Sequence, residues 1–197
     1  MVRLRFAPSP TGYLHLGGLR TALFCWLYAR KKGGKFIFRL EDTDQKRIFK
    51  GAENQLTSML EWSGIEIDEG PQYGGVHGPY RQSERLDIYD QYIRILLDEG
   101  SAYKCFCTSE RLEKLRNEQR KKGETPRYDG FCRNLSKSET SRRAESGEDH
   151  VVRMKIPEVQ ETMVLNDLIR GIVSIETSQS EDQVIVKSDG YPTYHLA

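Results

Sequence analysis

A chain of 197 residues, 37% hydrophobic and 30% charged, carries enough apolar material for one domain with a substantial core, or one domain and an insertion. A net charge of +1 excludes a global field for nucleic acid, so any RNA contact must come from local basic stretches. No run is long and apolar enough for a membrane span, no signal or transit peptide is read ahead of the first strand-like run, and four cysteines do not make a secreted disulfide framework.

Val2 to Ala7 alternates apolar and basic residues and predicts a strand. Pro8 to Gly18 follows as a proline-braced loop ending in two glycines. Leu19 to Lys32, with apolar residues at Leu19, Leu23, Trp26 and Leu27 and no proline, predicts a helix. Backbone N–H groups at a helix start attract phosphate, glycine lets a nucleotide approach the chain, and His15 adds a side-chain donor. Neither G-x-x-x-x-G-K-[ST] nor G-x-G-x-x-G occurs. These residues therefore leave two readings, a turn with a helix cap or a nucleotide site.

Gly33-Gly34 breaks the helix, and Lys35 to Leu40 predicts a second strand. Strand, helix, strand at this spacing implies a parallel crossover, whose ligands bind beyond the carboxyl ends of the strands. The loop after the first strand and Glu41-Asp42-Thr43-Asp44 after the second are thus expected to face one crevice. The acidic run reads either as a turn capping the next helix or as a carboxylate holding a substrate ammonium by a charge-assisted hydrogen bond.

Gly51 to Trp62 predicts an amphipathic helix covering the sheet, with Leu56, Met59, Leu60 and Trp62 on or near one face. Asp68 to Tyr80, rich in glycine and proline, predicts a loop and a possible domain junction. Ser83 to Glu99 predicts a helix capped by Ser83, lined by Leu86, Tyr89, Ile93 and Leu97, and ended by Gly100. Beyond it come a short strand at Tyr103–Cys107, a very polar helix at Glu110–Lys122 capped by Thr108 or Ser109, and a polar stretch at Ser136–Glu148. Strand-like runs at 151–156, 163–165, 172–175 and 184–186 complete an α+β insertion expected to hold its own small sheet. Asp189-Gly190 predicts a turn, and Tyr191-Pro192 an extended backbone.

Cys25, in an apolar helix, reads as a small buried hydrophobe. Cys105 and Cys107, with Cys132 further on, would pin the polar helix between them around zinc, with Tyr128 or Asp129 close enough to complete the site. Reduced buried thiols and a disulfide are the alternatives.

Arg5-Phe6-Ala7-Pro8-Ser9-Pro10-Thr11-Gly12, then His15-Leu16-Gly17-Gly18, resembles the first signature of class I aminoacyl-tRNA synthetases, in the wording of the bacterial and organellar glutamyl type. Glu41-Asp42-Thr43-Asp44 and Tyr80-Arg81-Gln82-Ser83-Glu84-Arg85-Leu86 resemble the same family. The resemblance covers essentially the whole chain but only the front of such an enzyme. The second half of the nucleotide fold, the lysine-rich K-[ML]-S-K-[SR] loop and the anticodon-binding domain would lie beyond it, so the stretch by itself is expected to be inactive.

The resemblance implies an α/β fold: the first half of a Rossmann-like parallel-sheet nucleotide domain at 1–79, an inserted α+β acceptor-end-binding domain at 80–186 (starting somewhere within 75–101), and a return into the first domain at 187–197. It implies activation of L-glutamate with ATP and Mg²⁺, then ligation to tRNA(Glu). It further implies a monomer with no membrane association, in the bacterial cytoplasm or mitochondrial matrix. His15, Gly17 and Gly18 would carry the catalytic role, and Pro8, Thr11 and Gly12 would join His15 and Gly17 in binding ATP. Arg5 would pair with a substrate carboxylate, although a plain surface-strand role is also open to it. Ala7, Ser9 and Glu41 would hold the amino acid and Tyr194 would wall its pocket; Asp42 and Asp44 read as structural or as caps of the next helix. Some zinc-bearing relatives carry the same cysteine spacing with a histidine two residues after the third cysteine; here Asn134 stands at that position. A shorter glutamyl-queuosine-type enzyme without an anticodon domain has the same motifs. A non-catalytic RNA- or nucleotide-binding fragment is the reading from another class.

Overall fold

The computed structural model describes residues 1–159 and 161–197. They form two compact units, Met1–Tyr89 with Ala197, and Asp90–Leu196.

In the first unit, β1 (Arg3–Phe6) and β2 (Lys35–Phe38) pair in parallel, with Arg3 opposite Lys35 and Phe6 opposite Phe38. The crossover between them is α1 (Leu16–Lys31). It begins three residues before the predicted start, because His15 caps it. Strand alternation sends Phe36 and Phe38 into the core, where they meet Phe6, Ala22, Ala29, Leu40, Ile65 and, from α2 (Ala52–Trp62), Leu56 and Leu60. The face that α1 buries is set by its small residues: Ala22 and Ala29 are fully buried, whereas Leu23 and Leu27, two of the apolar residues that mark the helix, are exposed. An alanine allows the helix backbone to approach the sheet, and the bulkier leucines are rotated away from that contact.

The loop after α2 is locked to β1 by Glu69, whose side chain is only 1% exposed. Its two carboxylate oxygens accept from the Arg3 guanidinium at 2.6 and 2.5 Å. The Tyr80 hydroxyl donates to the same group, and the Lys35 ammonium stands 3.2 Å away. The Arg3 hydrogen bond, aided by Tyr80 and Lys35, outweighs burial and holds the Glu69 carboxyl at about 2.

Two local expectations are corrected. Asp44 makes no cap bond at the short 3-10 turn Gln45–Arg47 and instead accepts from Arg47 Nε at 2.6 Å; α2 starts after Gly51 at φ +86°. Ser83 does not cap a helix either. Gln82–Arg85 is a 3-10 turn, α3 spans Leu86–Asp98, and both the amide and the hydroxyl of Ser83 donate to the buried carboxylate of Asp42. A buried carboxylate needs donors, and this one takes them from a segment remote in sequence.

The second unit holds two sheets where a single small one was expected. One is antiparallel with order β3-β4-β7 (Ala102–Cys105, Val151–Met154, Val184–Val186). The other is a largely exposed hairpin, β5 (Thr162–Asp167) with β6 (Gly171–Glu176), whose register runs from Thr162 opposite Glu176 to Asp167 opposite Gly171. The helix α4 (Ser109–Lys121) is capped by the Thr108 hydroxyl, one of its two expected caps, and the stretch read only as polar holds a further helix, α5 (Lys137–Glu145), capped by the Ser136 hydroxyl. Lys187–Tyr191 turns through Gly190 at φ +83° and brings Pro192 back beside Val186. Among the described residues no helix is long and apolar enough to cross a membrane.

Candidate active site and thiol cluster

The ends of β1 and β2 are stapled together past the sheet. Arg39 N–H donates to the Phe6 carbonyl at 3.0 Å and Glu41 N–H to the Pro8 carbonyl at 2.9 Å. The loop is pinned further along where Phe49 N–H donates to the carbonyl of the buried Pro10 at 2.9 Å, with the Tyr13 and Phe49 rings 5.9 Å apart. The segment before α1 is therefore held at several points without any regular structure of its own.

His15 sits at the helix start in an extended conformation, φ −96° and ψ 165°, and its Nδ1 accepts from Gly18 N–H at 3.3 Å. Using Nδ1 as an acceptor places the proton of the neutral ring on Nε2. The exposed imidazole thus presents a donor to anything beside the loop. Gly17 and Gly18 leave room at this turn: a Cβ on Gly17 would crowd the imidazole at 3.1 Å, and one on Gly18 would push on the movable end of Leu14, 2.9 Å from its Cδ1. The first turn of α1 carries no acidic residue, so its free N–H groups remain attractive to an anion. A cleft of about 430 Å³ opens here, lined by Pro8, Ser9, Thr11, Gly12, His15 and Gly18 and backed by Phe6 and Leu56.

Beside this loop lies Glu41, its side chain 12% exposed. Oε1 accepts from Arg39 Nε at 2.8 Å and from Gln82 Nε2 at 3.0 Å, and the Arg5 guanidinium stands 3.7 Å from it. A carboxylate between two guanidinium groups, with Arg5 half in solvent, is suited to exchanging Arg5 for a cation while Arg5 takes an anion. Ala7 is half-buried at the end of β1, and Ser9 is exposed at the mouth of the cleft. Tyr194 belongs to the other unit, where it is 76% exposed with its ring 4.0 Å from that of His195. Arg39 and Gln82 were not singled out by the sequence. The signal for Gln82 was its place in Tyr80-Arg81-Gln82-Ser83-Glu84-Arg85-Leu86, where no role was assigned to it.

In the second unit Cys105, Cys107 and Cys132 bring their sulfur atoms within 4.8 Å of one another. Cys105 ends β3, Cys107 precedes the cap of α4, and Cys132 lies in the turn after Gly130 at φ +70°. All are free thiols, and the 3.6 Å between Cys107 and Cys132 is far beyond a disulfide bond. That spacing matches a tetrahedral zinc site, whose sulfur–sulfur edges are about 3.8 Å for Zn–S bonds of about 2.3 Å. The Tyr128 hydroxyl, 3.2 Å from Cys105 Sγ and 3.7 Å from Cys107 Sγ, stands at the open side. Asp129, the other candidate ligand, is taken by Arg111 at 2.6 Å.

The Arg153 guanidinium packs 3.9 Å over the Tyr128 ring. Burial alone would raise Cys105, but hydrogen bonds from Tyr128 and the Cys107 backbone, with Arg153 alongside, hold it below the ordinary thiol range. Burial pushes Cys107 up to about 12, against the Tyr128 hydrogen bond and with help from Cys105. The Tyr128 and Arg153 contacts thus favour the thiolate at Cys105 more than at Cys107.

The family described as tRNA synthetases class I (E and Q), catalytic domain, matches residues 1–197. The glutamate–tRNA ligase of Clostridioides difficile (strain 630) is 48% identical over 204 residues, covering 100% of this chain and 41% of the relative. That of Chloroherpeton thalassium is 53% identical over 202 residues, covering 100% and 40%. The chain therefore spans about two fifths of the length of these relatives. Among solved structures, the crystal structure of a glutamate tRNA ligase from Elizabethkingia meningosepticum, in complex with its amino acid, superposes with a TM-score of 0.91 at 46% identity, covering 99% of this chain and 40% of that one. Glutamate-tRNA synthetase from Elizabethkingia anophelis gives 0.92 at 46% identity, covering 99% and 41%. The α/β architecture, with its Rossmann-like parallel pair, is shared with these structures.

Proposed function

Because the chain belongs to the catalytic-domain family of the class I tRNA synthetases (E and Q), we propose that it activates L-glutamate with ATP and serves in ligating the product to tRNA(Glu). The substrate α-carboxylate attacks the α-phosphorus of ATP in line and pyrophosphate leaves; the terminal ribose hydroxyl of the tRNA then attacks the carbonyl carbon of the glutamyl adenylate, breaking the acyl–phosphate bond, with AMP as the leaving group and the hydroxyl proton lost. No protein nucleophile is needed; the protein positions the reactants and stabilises charge on the phosphoryl oxygens.

The observation that carries this reading is the capping bond at His15, which commits Nδ1 to Gly18 and leaves Nε2–H as a donor in the cleft at the strand ends. His15 Nε2–H and the N–H of Gly17 receive ATP oxygens, Gly18, whose own N–H is spent on the His15 cap, lets the nucleotide approach the backbone, and Pro8, Thr11 and Gly12 shape the nucleotide's bed. Glutamate enters between Arg5 and Glu41: its ammonium replaces Arg5 at the carboxylate, and Arg5 pairs with a substrate carboxylate. Ser9 and Ala7 line the amino-acid head. Magnesium, carried in on the ATP phosphates, supplies further neutralisation of their charge. Zinc would be held by Cys105, Cys107, Cys132 and Tyr128 and would act as a structural staple. Residues 80–186 would receive the acceptor end of the tRNA, and 187–197 would lead back toward the nucleotide domain. The protein would work as a monomer in the bacterial cytoplasm or mitochondrial matrix.

The test is glutamate-dependent ATP–pyrophosphate exchange in a full-length protein carrying this chain. His15→Ala is expected to lower the exchange rate tenfold or more, about 1.4 kcal/mol or more of transition-state stabilisation, with an unchanged circular dichroism spectrum. An unaltered rate overturns the assignment.

A further inference from the structure

We propose that Gln82 and Tyr89 form a one-way hydrogen-bond relay that aims Glu41 at the substrate ammonium, which makes them positioning residues for amino-acid binding. The inference rests on the reading of Glu41 as the ammonium ligand. Gln82 has 0% exposure, and both ends of its amide are used. A carboxylate can only accept, so the group 3.0 Å from Glu41 Oε1 is the Gln82 Nε2 donor. Gln82 Oε1 then faces the Tyr89 hydroxyl, which must donate to it. The direction of the chain, Tyr89 to Gln82 to Glu41, follows from the one member that has no proton to give.

Its consequence falls on the carboxylate. Arg39, Gln82 and, at 3.7 Å, Arg5 all address Oε1 of Glu41. Oε2 has no hydrogen-bond partner among the described residues, so one oxygen is saturated by the protein and the other is left for a ligand. Gln82 is itself anchored to the residue before Glu41: its N–H donates to the Leu40 carbonyl at 3.1 Å, and Leu40 N–H donates to the Tyr80 carbonyl at 2.9 Å. Backbone and side chain of one buried residue thus fix both the position and the rotation of the carboxylate. A neutral amide suits the task, because it adds a donor without adding a third positive charge beside Arg5 and Arg39, which would weaken the attraction for an ammonium.

In a full-length protein carrying this chain, Tyr89→Phe removes only an O–H, and Gln82→Met keeps the length and loses the amide. Both are assayed by ATP–pyrophosphate exchange with glutamate and ATP varied separately. The expected result is a KM for glutamate raised about threefold in Tyr89→Phe, the scale of a neutral hydrogen bond, and about tenfold in Gln82→Met, approaching that of one to a charged group, with the KM for ATP unchanged. Equal rises for both substrates, or none in either variant, overturn the relay. Glu41→Gln separates the two layers. If it leaves the glutamate KM unaltered, the ammonium-ligand reading falls and the relay's role falls with it; if it raises that KM while the two relay variants do not, only the relay is overturned. Should Gln82→Met fail to fold, Tyr89→Phe decides alone.

Discussion

The two units solve the problem of holding polar groups in opposite ways. In the first, a parallel strand pair is covered by helices that bury Ala22, Ala29, Leu56 and Leu60 against Phe6, Phe36 and Phe38. The site residues hang on that apolar frame at the strand ends. In the second, neither α4 nor α5 has a buried residue, and Cys105, Phe106 and Cys132 are the buried members of the core beside the cysteines. Polar pairs take up the structural work there. Asp182, itself buried, accepts from Arg133 at 2.7 Å, Tyr103 at 2.6 Å and Ile156 N–H at 2.9 Å. The second unit buries apolar residues on its strands, at Val152, Ile185 and Val186, rather than under α4 and α5, and a metal would tie those strands to the loops that carry the cysteines.

This contrast is easiest to break at the thiols. Stripping metal with a chelator at pH 7 is expected to destabilise the second unit severely while the transition of the first stays in place, because structural zinc in small domains contributes on the order of 10 kcal/mol. Metal analysis of protein purified without chelator, followed by limited proteolysis of the stripped form, checks this; equal resistance before and after would leave the cysteines as reduced buried thiols. Next in size is Phe36→Ala. Removing a fully buried ring is expected to cost the first unit about 3–5 kcal/mol in urea unfolding and to leave the second unit's transition where it was.

The smallest effect is a pH dependence. Glu69 is depressed from 4.5 to about 2 in the folded protein. Its contribution to stability is therefore fully present above the unfolded value of 4.5 and is lost as pH falls toward 2. Unfolding followed from pH 6 to pH 2 should show the first unit weakening over that window. In Glu69→Gln the pH-dependent part should flatten.

Local chemistry accounts for what is legible in the order of residues. Thr108 and Ser136 cap the helices that follow them, because a hydroxyl bonding an amide three residues ahead needs nothing from elsewhere in the chain. Ser83 fails by the same logic: its hydroxyl has a better partner in Asp42, forty-one residues earlier in the chain, and a buried carboxylate outcompetes a helix end. Leu23 and Leu27 mark a helix correctly but not the face it buries, since approach distance, set by Ala22 and Ala29, decides that. The thiol cluster is half readable: the spacing of the cysteines suggests a site, but the choice between Tyr128 and Asp129 depends on where Arg111 lies.

By itself, the amino-acid order determined the strand–helix–strand crossover, the polar helix capped by Thr108 and the proline-braced loop with its histidine and glycines. Periodicity, capping and backbone restriction act over a few residues and are written in adjacent letters. Tertiary structure alone decided which partners each charged or buried polar group would find. The environment of Glu41 is assembled from Arg5, Arg39 and Gln82, on three separate segments. No local rule joins them, because the desolvation cost that forces such groups together exists only once the chain has closed around them.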